Sequence, residues 1–206
     1  MPKMPEGYLE KRKDEILNAC NELYEHSSFH DVTLKKISDY TSFSRPSIYN
    51  YYETIEEIFL ALLKREYDLW SADLEKILDQ PIENRKDFAQ AIAKTLESRK
   101  TMLRILAMNL YEIEENTRLE SLTDFKCSFG NSMNVFKQLL EKYCPEMNEE
   151  KRKKILYSFY PFLNGLYPYA TPTKKQAQAM EAAGLDYMKC TIEELASDFL
   201  VELLGE

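Results

Sequence analysis

A short segment in the N-terminal quarter of the chain concentrates side chains that can bind phosphate groups and base edges. Ser44 and Ser47 lie on either side of Arg45, and two tyrosines and an asparagine follow within four residues. Hydroxyl groups donate hydrogen bonds to phosphate oxygens, and a guanidinium can bind guanine through two parallel hydrogen bonds. The chemistry that this segment indicates is therefore recognition of a nucleic acid.

Two short helices joined by a tight turn would position these side chains. Thr33 can cap the first helix and Ser44 the second, with residues 41–43 as the turn between them. Ile48 and Tyr52 form the inner face of the second helix, which leaves its polar residues outside. The segment 33–52 is thus predicted to be a helix-turn-helix, whose second helix fits a DNA major groove. The candidate DNA-binding residues of this segment are Lys35, Lys36, Ser44, Arg45, Ser47, Tyr49, Asn50 and Tyr51. The two lysines could equally belong to a solvated helix face.

The rest of the chain is also predicted to be helical. Its 206 residues include only 5 Gly and 8 Pro, and its 26 Leu against 3 Val favour helices over strands. We expect an all-α fold of about nine helices, with capping boxes at 54–57 and 191–194 and a kink at Pro161. The stretch 168–190 is the one long loop, with a possible helical turn or two at 175–183. Further helices are predicted near 8–26, 55–78, 100–113 and 117–143, after Asn84, after Asn148 and from Ile192.

Residues 11–70 resemble the N-terminal domain of the TetR family of bacterial transcriptional regulators. That family combines a hydrophobic-Ser turn, then hydrophobic-Tyr-x-(His/Tyr)-aromatic, then a capped linking helix. The corresponding residues here are Phe43-Ser44, Ile48–Tyr52 and Thr54–Glu57. The resemblance implies a homodimer that reads a palindromic operator. It also implies a variable C-terminal domain that binds a small ligand and triggers release from DNA.

Several residue roles follow from the resemblance alone. Thr33 corresponds to the residue that binds a phosphate at the start of the second helix, and Tyr49 and Tyr51 correspond to aromatic phosphate contacts. Ser44 and Ser47 resemble hydroxyls of the recognition helix. Arg45 and Asn50 sit where contact with bases is possible, although Asn50 could simply be solvated.

Three positions depart from the family pattern. Ser42 occupies the turn position that is usually Gly, which would strain the backbone if a positive φ were required there. Ile55 replaces a Lys at the start of the linking helix, which removes one phosphate contact. Tyr40 replaces a small residue before the turn.

The fold class expected is therefore a three-helix helix-turn-helix domain joined by a long helix to a larger helical domain for ligand binding and dimerisation. The DNA-binding domain is placed at 9–70 and the effector-binding domain at 71–206. Aromatic and Met side chains of the second domain could line a pocket for an apolar or aromatic effector, or simply pack as core. Glu112 or Glu114 could add a charge for a cationic effector. The pocket candidates are Tyr67, Trp70, Phe88, Met102, Tyr111, Phe129, Met133, Phe159, Asn164 and Tyr167.

The last two predicted helices carry wide apolar stripes. They could meet their symmetry mates in a four-helix dimer interface, with Gly165 allowing close approach, or they could close the core of one subunit. The candidate interface residues are Phe162, Leu163, Gly165, Leu166, Ile192, Leu195, Phe199, Leu200 and Leu203.

Other classes of protein are disfavoured by what the sequence lacks. No nucleophile triad, Gly-rich phosphate loop or metal-ligand spacing occurs, so we expect no enzyme, no cofactor and no metal site. His26 and His30 are the only histidines, and Ser27-Ser28 should break a helix between them. Apolar runs are far shorter than the ~20 residues of a membrane span, and four scattered cysteines fit reduced thiols in the cytoplasm.

The net charge of −8 is unevenly distributed. Residues 1–52 carry −1 and the remainder −7, so a DNA-binding surface must be small and local. We expect a cytoplasmic, ligand-responsive transcriptional repressor that binds double-stranded DNA as a homodimer. The alternative is a helical module for small molecules or proteins whose DNA-binding face has decayed.

Overall fold

The computed structural model describes residues 7–205 and is built from helices. Within that range there are eleven α-helices, one 3-10 turn at Phe29–Asp31 and no strands, which confirms the all-α prediction. The α-helices are α1 Tyr8–His26, α2 Leu34–Asp39, α3 Arg45–Ile48, α4 Ile55–Ile77, α5 Arg85–Glu97, α6 Lys100–Met108, α7 Leu110–Glu115, α8 Leu119–Tyr143, α9 Glu149–Ala170, α10 Lys174–Ala182 and α11 Ile192–Leu204.

The chain forms two compact units that are not contiguous in sequence. In the described range, the N-terminal unit comprises 7–65 together with Asn109–Cys127. The C-terminal unit comprises Glu66–Met108 together with 128–205. Helices α4 and α8 each begin in the N-terminal unit and end in the C-terminal unit.

The core of the N-terminal unit lies where α1, α2, α3 and the start of α4 meet. Ile16, Ile37 and Ile48 are fully buried there, one from each of the first three helices. Tyr24 of α1 packs edge-on against Phe59 of α4, with ring centroids 5.0 Å apart. These apolar contacts fix α3 on its inner face and leave its polar face outside.

The helix starts follow from local hydrogen bonds. Thr33 Oγ1 accepts the backbone N–H of Lys36, as predicted for the cap of α2. Asn84 caps α5 and Asn148 caps α9 in the same way, and the capping box at Thr191 forms as predicted. Such bonds span three residues, so they are readable from the sequence.

The C-terminal unit is centred on the packing of α5 and α9 against α11, and of α6 against α9. Trp70, Phe88, Phe136 and Phe159 are fully buried in it. Trp70 Nε1 donates a hydrogen bond to Thr95 Oγ1 at 2.9 Å, which satisfies its one polar group.

The helix count exceeds the predicted nine for two reasons. The helix expected over 100–113 is divided at Asn109, whose φ of −145° and ψ of 3° lie outside the helical range. Asn has a lower helix propensity than Leu or Met, and the Asn109 side chain makes no capping bond at the start of α7. The loop expected over 168–190 instead contains α10, and α9 continues through Pro161 and Pro168 to Ala170.

α9 continues past its two prolines because of its packing against the rest of the C-terminal unit. A proline inside a helix costs about 3 kcal/mol because it removes a hydrogen bond and crowds the preceding turn. Phe159, Leu163 and Leu166 of α9 are buried, and their burial offsets that cost. No helix of the described residues is long and apolar enough to cross a membrane.

Candidate functional site

The predicted DNA-binding hydroxyls lie at the starts of α2 and α3. Thr33 and Ser44 are exposed, and Ser47 is half-buried. Ser44 Oγ and Ser47 Oγ are 2.9 Å apart and share a hydrogen bond. Thr33 Oγ1 accepts a backbone N–H, yet its own proton is available for another acceptor. These hydroxyls can therefore bind a phosphate while keeping their structural bonds.

Arg45 is the cationic group at the start of α3. Its Nη2 donates to Tyr49 Oη at 3.3 Å, which holds the guanidinium beside a ring that is 46% exposed. Helix α3 ends at Ile48, so Tyr49, Asn50 and Tyr51 lie in the hydrogen-bonded turns that follow it. Tyr51 is half-buried, with its ring edge-on to Phe43 at 5.8 Å.

An open groove of about 610 Å³ runs between these elements. Thr33 and Lys35 line it from α2, and Arg45 and Tyr49 line it from α3 and the turn after it. Lys36 is exposed on α2 and does not line the groove. The carboxylates that line the same groove are Glu53, Glu56 and Glu112. The groove thus carries both cationic and anionic side chains.

The turn between α2 and α3 is held by α1. Ser42 donates its backbone N–H to Glu15 Oε1 at 2.5 Å, and its Oγ accepts from Arg12 Nη1 at 2.7 Å. The Arg12 guanidinium lies 4.1 Å from the centre of the Phe43 ring. The Ser42 N–H is the main reason why the pKa of Glu15 lies below its usual value. No non-glycine residue in 7–205 has a positive φ, so the strain considered for Ser42 does not arise.

The start of α4 is tied to the segment before α8 by residues that sequence reasoning did not connect. Glu57 is buried, and its carboxylate accepts from the guanidinium of Arg118 at 2.5 and 2.9 Å. Thr54 Oγ1 accepts the backbone N–H of Glu57, as the predicted capping box requires. The return bond of the box differs from the prediction, because the Glu57 carboxylate accepts the N–H of Glu53 and not that of Thr54. No local signal could reveal the Arg118 contact, because the partners are 61 residues apart. Ile55 is half-buried at the edge of the groove.

The pocket candidates are distributed over several places. Tyr67, Trp70, Phe88, Met102 and Phe159 are buried, whereas Phe129, Met133 and Tyr167 are half-buried and Asn164 is exposed. Tyr111 is 81% exposed and belongs to the N-terminal unit.

A cluster of aromatic rings brings together three of these candidates. Tyr67 packs against Trp70 at 6.0 Å and against Phe129 at 5.5 Å. Tyr160, which the sequence did not single out, packs against both Trp70 and Phe129 and donates its Oη–H to Ser132 Oγ at 2.9 Å. Burial raises the pKa of the Tyr160 phenol, so this phenol remains a neutral donor. We call this set the aromatic cluster.

The candidate dimer residues divide between the core and the surface of the C-terminal unit. Leu163, Leu166, Ile192 and Leu200 are buried. Phe162, Leu195, Phe199 and Leu203 are half-buried, and Gly165 is exposed. The rings of Phe162 and Phe199 stack with centroids 4.0 Å apart and planes within 6°. This stack joins the partly exposed apolar faces of α9 and α11.

The described residues contain no group of three or more His, Cys, Asp or Glu side chains that could hold a metal ion. His26 closes α1, and His30 lies in the 3-10 turn. The helix does end between them, at Ser27.

Curated relatives match part of the chain. An uncharacterized HTH-type transcriptional regulator, YfiR of Bacillus subtilis, is 26% identical over 106 residues, which are 45% of this chain and 51% of that protein. The HTH-type transcriptional activator FasR of Mycolicibacterium smegmatis is 24% identical over 83 residues, which are 40% of this chain and 38% of that protein. The chain thus spans about half the length, or less, of the curated relatives that it matches.

The fold has a counterpart among solved structures. The transcriptional regulator FadR from Bacillus subtilis, solved in complex with stearoyl-CoA, superposes with a TM-score of 0.60 at 14% identity. That superposition covers 93% of this chain and 96% of FadR. At this identity the likeness concerns the fold alone.

Two family profiles cover most of the chain. Residues 16–62 match the profile of bacterial regulatory proteins of the tetR family. This range includes the α2–α3 motif described above. Residues 64–205 match the tetracyclin repressor-like C-terminal domain. Together with the fold and the exposed polar face of α3, these matches show that the chain belongs to the TetR family of bacterial regulatory proteins.

Proposed function

We propose that this protein is a sequence-specific DNA-binding transcriptional regulator. The observation that carries the proposal is the outward face of α2, α3 and the following turns. There, Thr33, Lys35, Arg45 and Tyr49 line one open groove, and Ser44 is exposed at the start of α3. Ile48 and Tyr52 anchor the segment from inside. A regulator of this kind acts in the bacterial cytoplasm.

Within this face, contacts to phosphates would set the register, and contacts to bases would select the sequence. We assign the phosphates to Thr33, Ser44, Tyr49 and Tyr51, with Lys35 and Lys36 adding charge. We assign the bases to Arg45 and Ser47, with Asn50 exposed beside them. A bidentate Arg45–guanine pair would discriminate by about 1–3 kcal/mol against a wrong base.

The C-terminal domain, taken as 71–206, would bind an effector and join two subunits. The aromatic cluster suits an apolar or aromatic effector, because the Trp70 N–H and the Tyr160 O–H are already bonded to Thr95 and Ser132 and the remaining surface of the rings is apolar. FadR of Bacillus subtilis was solved with stearoyl-CoA, so acyl thioesters are among the first compounds to screen. The stacked pair of Phe162 and Phe199 lies on the face proposed for dimerisation.

We infer a repressor that an effector releases from a palindromic operator. A dimer would set the distance between two recognition segments, and an effector would alter that distance by shifting α4, which begins in one unit and ends in the other. This requires the effector to bind two dimer conformations with different affinities.

The first test is DNA binding by the purified protein. The probe is the upstream region of its own gene, measured at two salt concentrations with random-sequence DNA as competitor. We expect competitor-resistant binding that Arg45→Ala and Tyr49→Ala each abolish, with Lys13→Ala as the control variant.

The alternative function, a helical binding module with a decayed DNA-binding face, has one observation in its favour. Glu53, Glu56 and Glu112 line the groove beside Arg45, and carboxylates repel phosphates. Under that alternative, Arg45→Ala changes nothing, and neither the upstream region nor genome-wide fragments bind better than random DNA.

A further inference from the structure

Glu57 is a carboxylate almost entirely removed from solvent in the first turn of α4. Only 1% of the surface of Glu57 is exposed. Its two oxygens accept from Arg118 Nε at 2.5 Å, from Arg118 Nη2 at 2.9 Å and from the N–H of Glu53 at 2.8 Å. A buried carboxylate remains charged only when it is paired and hydrogen-bonded. The fold of this turn therefore depends on Arg118.

A second set of bonds ties the same turn to the same place. Thr54 Oγ1 donates to the carbonyl oxygen of Asn116 at 3.2 Å and accepts the N–H of Glu57 at 3.1 Å. Arg118 Nη1 lies 3.1 Å from Glu53 Oε1. The connection between α3 and α4 is thus fixed at Glu53, Thr54 and Glu57, all against residues 116–118.

This connection starts only a few residues after the recognition side chains. Tyr49, which holds Arg45, is four residues before Glu53. A displacement of 53–57 would therefore move Tyr49, and with it the guanidinium of Arg45 that Tyr49 holds. All of these residues belong to the N-terminal unit.

We propose that Arg118 is a positioning residue for DNA recognition, which it serves by holding the α3–α4 connection through Glu57 and Glu53. The proposal rests on the DNA-binding function proposed above. Arg118 immediately precedes α8, so any shift of the first turn of α8 would alter this pairing.

Arg118 is not expected to bind DNA itself. Its Nε and Nη2 engage Glu57, and its Nη1 engages Glu53. Both hydrogen-bonding edges of the guanidinium thus bind a carboxylate. These carboxylates neutralise the positive charge that would otherwise attract a phosphate. The salt dependence of binding distinguishes a positioning role from a phosphate contact. The salt slope is the steepness with which the logarithm of the binding constant falls as the logarithm of the salt concentration rises, and losing one phosphate contact lowers it by about one.

The test uses the full chain and a duplex that the wild-type protein selects from a random-sequence library. Arg118→Gln, Glu57→Gln and the double variant are compared with Lys126→Gln as the control. Lys126 lies in the same segment and makes a partly exposed ion pair with Glu114 at 2.6 Å. Affinities for the selected duplex and for a random duplex are measured over a range of salt concentrations.

We expect Arg118→Gln to weaken binding to the selected duplex by about tenfold or more, and binding to the random duplex by less than about twofold. The salt slope should stay unchanged. The double variant should bind the selected duplex about as tightly as whichever single variant has the lower affinity, because the two residues act as one pair. Arg118→Lys keeps the charge but not the parallel bonds, and should recover only part of the loss.

Amide hydrogen exchange provides a readout that does not need DNA. In Arg118→Gln we expect faster exchange over 47–57, with unchanged protection in α5 and α11. Unchanged affinity for the selected duplex, a salt slope lower by about one, or exchange that rises everywhere or nowhere would each overturn the proposal. If the wild type selects no duplex, the function proposed above fails, and the exchange data alone decide whether Arg118 positions 47–57.

Discussion

Arg12 Nη1 donates a hydrogen bond to Ser42 Oγ at 2.7 Å, so that a residue of the first helix holds the turn between α2 and α3. Glu15 completes this arrangement by accepting the Ser42 N–H. Ser42 stands where the TetR family usually has Gly, and its backbone has no positive φ. The turn is therefore stabilised by two side chains of α1, and the conformational freedom of a glycine is not needed.

We predict that Ser42→Gly destabilises the N-terminal unit. The glycine would lose the bond to Arg12 and gain conformational entropy in the unfolded state, so the free energy of unfolding should fall. Urea unfolding followed by circular dichroism measures the difference. Arg12→Ala should cost at least as much because its contact with the Phe43 ring is lost too, while Lys13→Ala serves as control. A stabilised Ser42→Gly variant would mean that the serine is strained after all.

We predict a pH dependence that Glu57 imposes on the stability of the N-terminal unit. Burial alone raises the pKa of Glu57, but the hydrogen bonds and charge of Arg118 outweigh it, so the folded pKa lies below the usual 4.5. The stabilisation by this carboxylate is therefore fully present above about pH 4.5 and is lost as the pH falls through the folded pKa.

Glu57→Gln isolates this contribution. At about pH 7 we expect the variant to unfold with a free energy about 1–3 kcal/mol lower than that of the wild type. The gap between the two proteins should stay constant down to about pH 4.5 and shrink below it. The measurement is a series of urea titrations. A gap that grows in acid would contradict a lowered pKa.

We predict that Ile55→Lys strengthens binding to DNA of any sequence. Ile55 is half-buried at the edge of the groove, so a lysine can extend its ammonium group to solvent there. The family commonly has Lys at this position, and one added phosphate contact should steepen the salt slope by about one. Salt titrations on selected and random duplexes test this. An unchanged slope would place the start of α4 away from the phosphates.

We predict that Gly165→Glu separates dimerisation from subunit folding. Beyond its chain neighbours and the backbone of α9 itself, a Cβ at Gly165 would meet no atom of the subunit within 4 Å, so the helix should tolerate the substitution. A second helical glycine, Gly130 of α8, has the same free space and lies outside the proposed interface. Gly130→Glu is therefore the matched control.

Sedimentation and thermal unfolding together decide this prediction. Gly165→Glu should raise the dimer dissociation constant by about tenfold or more and leave the helical content unchanged, since a charge would be buried in an apolar interface. Gly130→Glu should remain dimeric. If both variants dimerise as the wild type does, the interface lies elsewhere than on this part of α9.

The amino-acid sequence determined the parts of this protein that depend on neighbouring residues. The caps Thr33, Asn84 and Thr191 were predictable because a capping bond joins residues three apart. Helical spacing predicted that Ile48 and Tyr52 face inward, and both are buried, but α3 ends at Ile48 and Tyr52 lies beyond it. The motif around 43–57 also sufficed to identify the family by resemblance.

Tertiary structure decided what depends on distant residues. Arg12 meets Ser42 across 30 residues, and Arg118 meets Glu57 across 61, so neither pair has a signature in local spacing. Burial also set the outcome for α9, since the packing of Phe159 and its neighbours carries the helix past Pro161. Periodicity shows which residues share a helix face, but only the packing of helices decides which distant side chain that face meets.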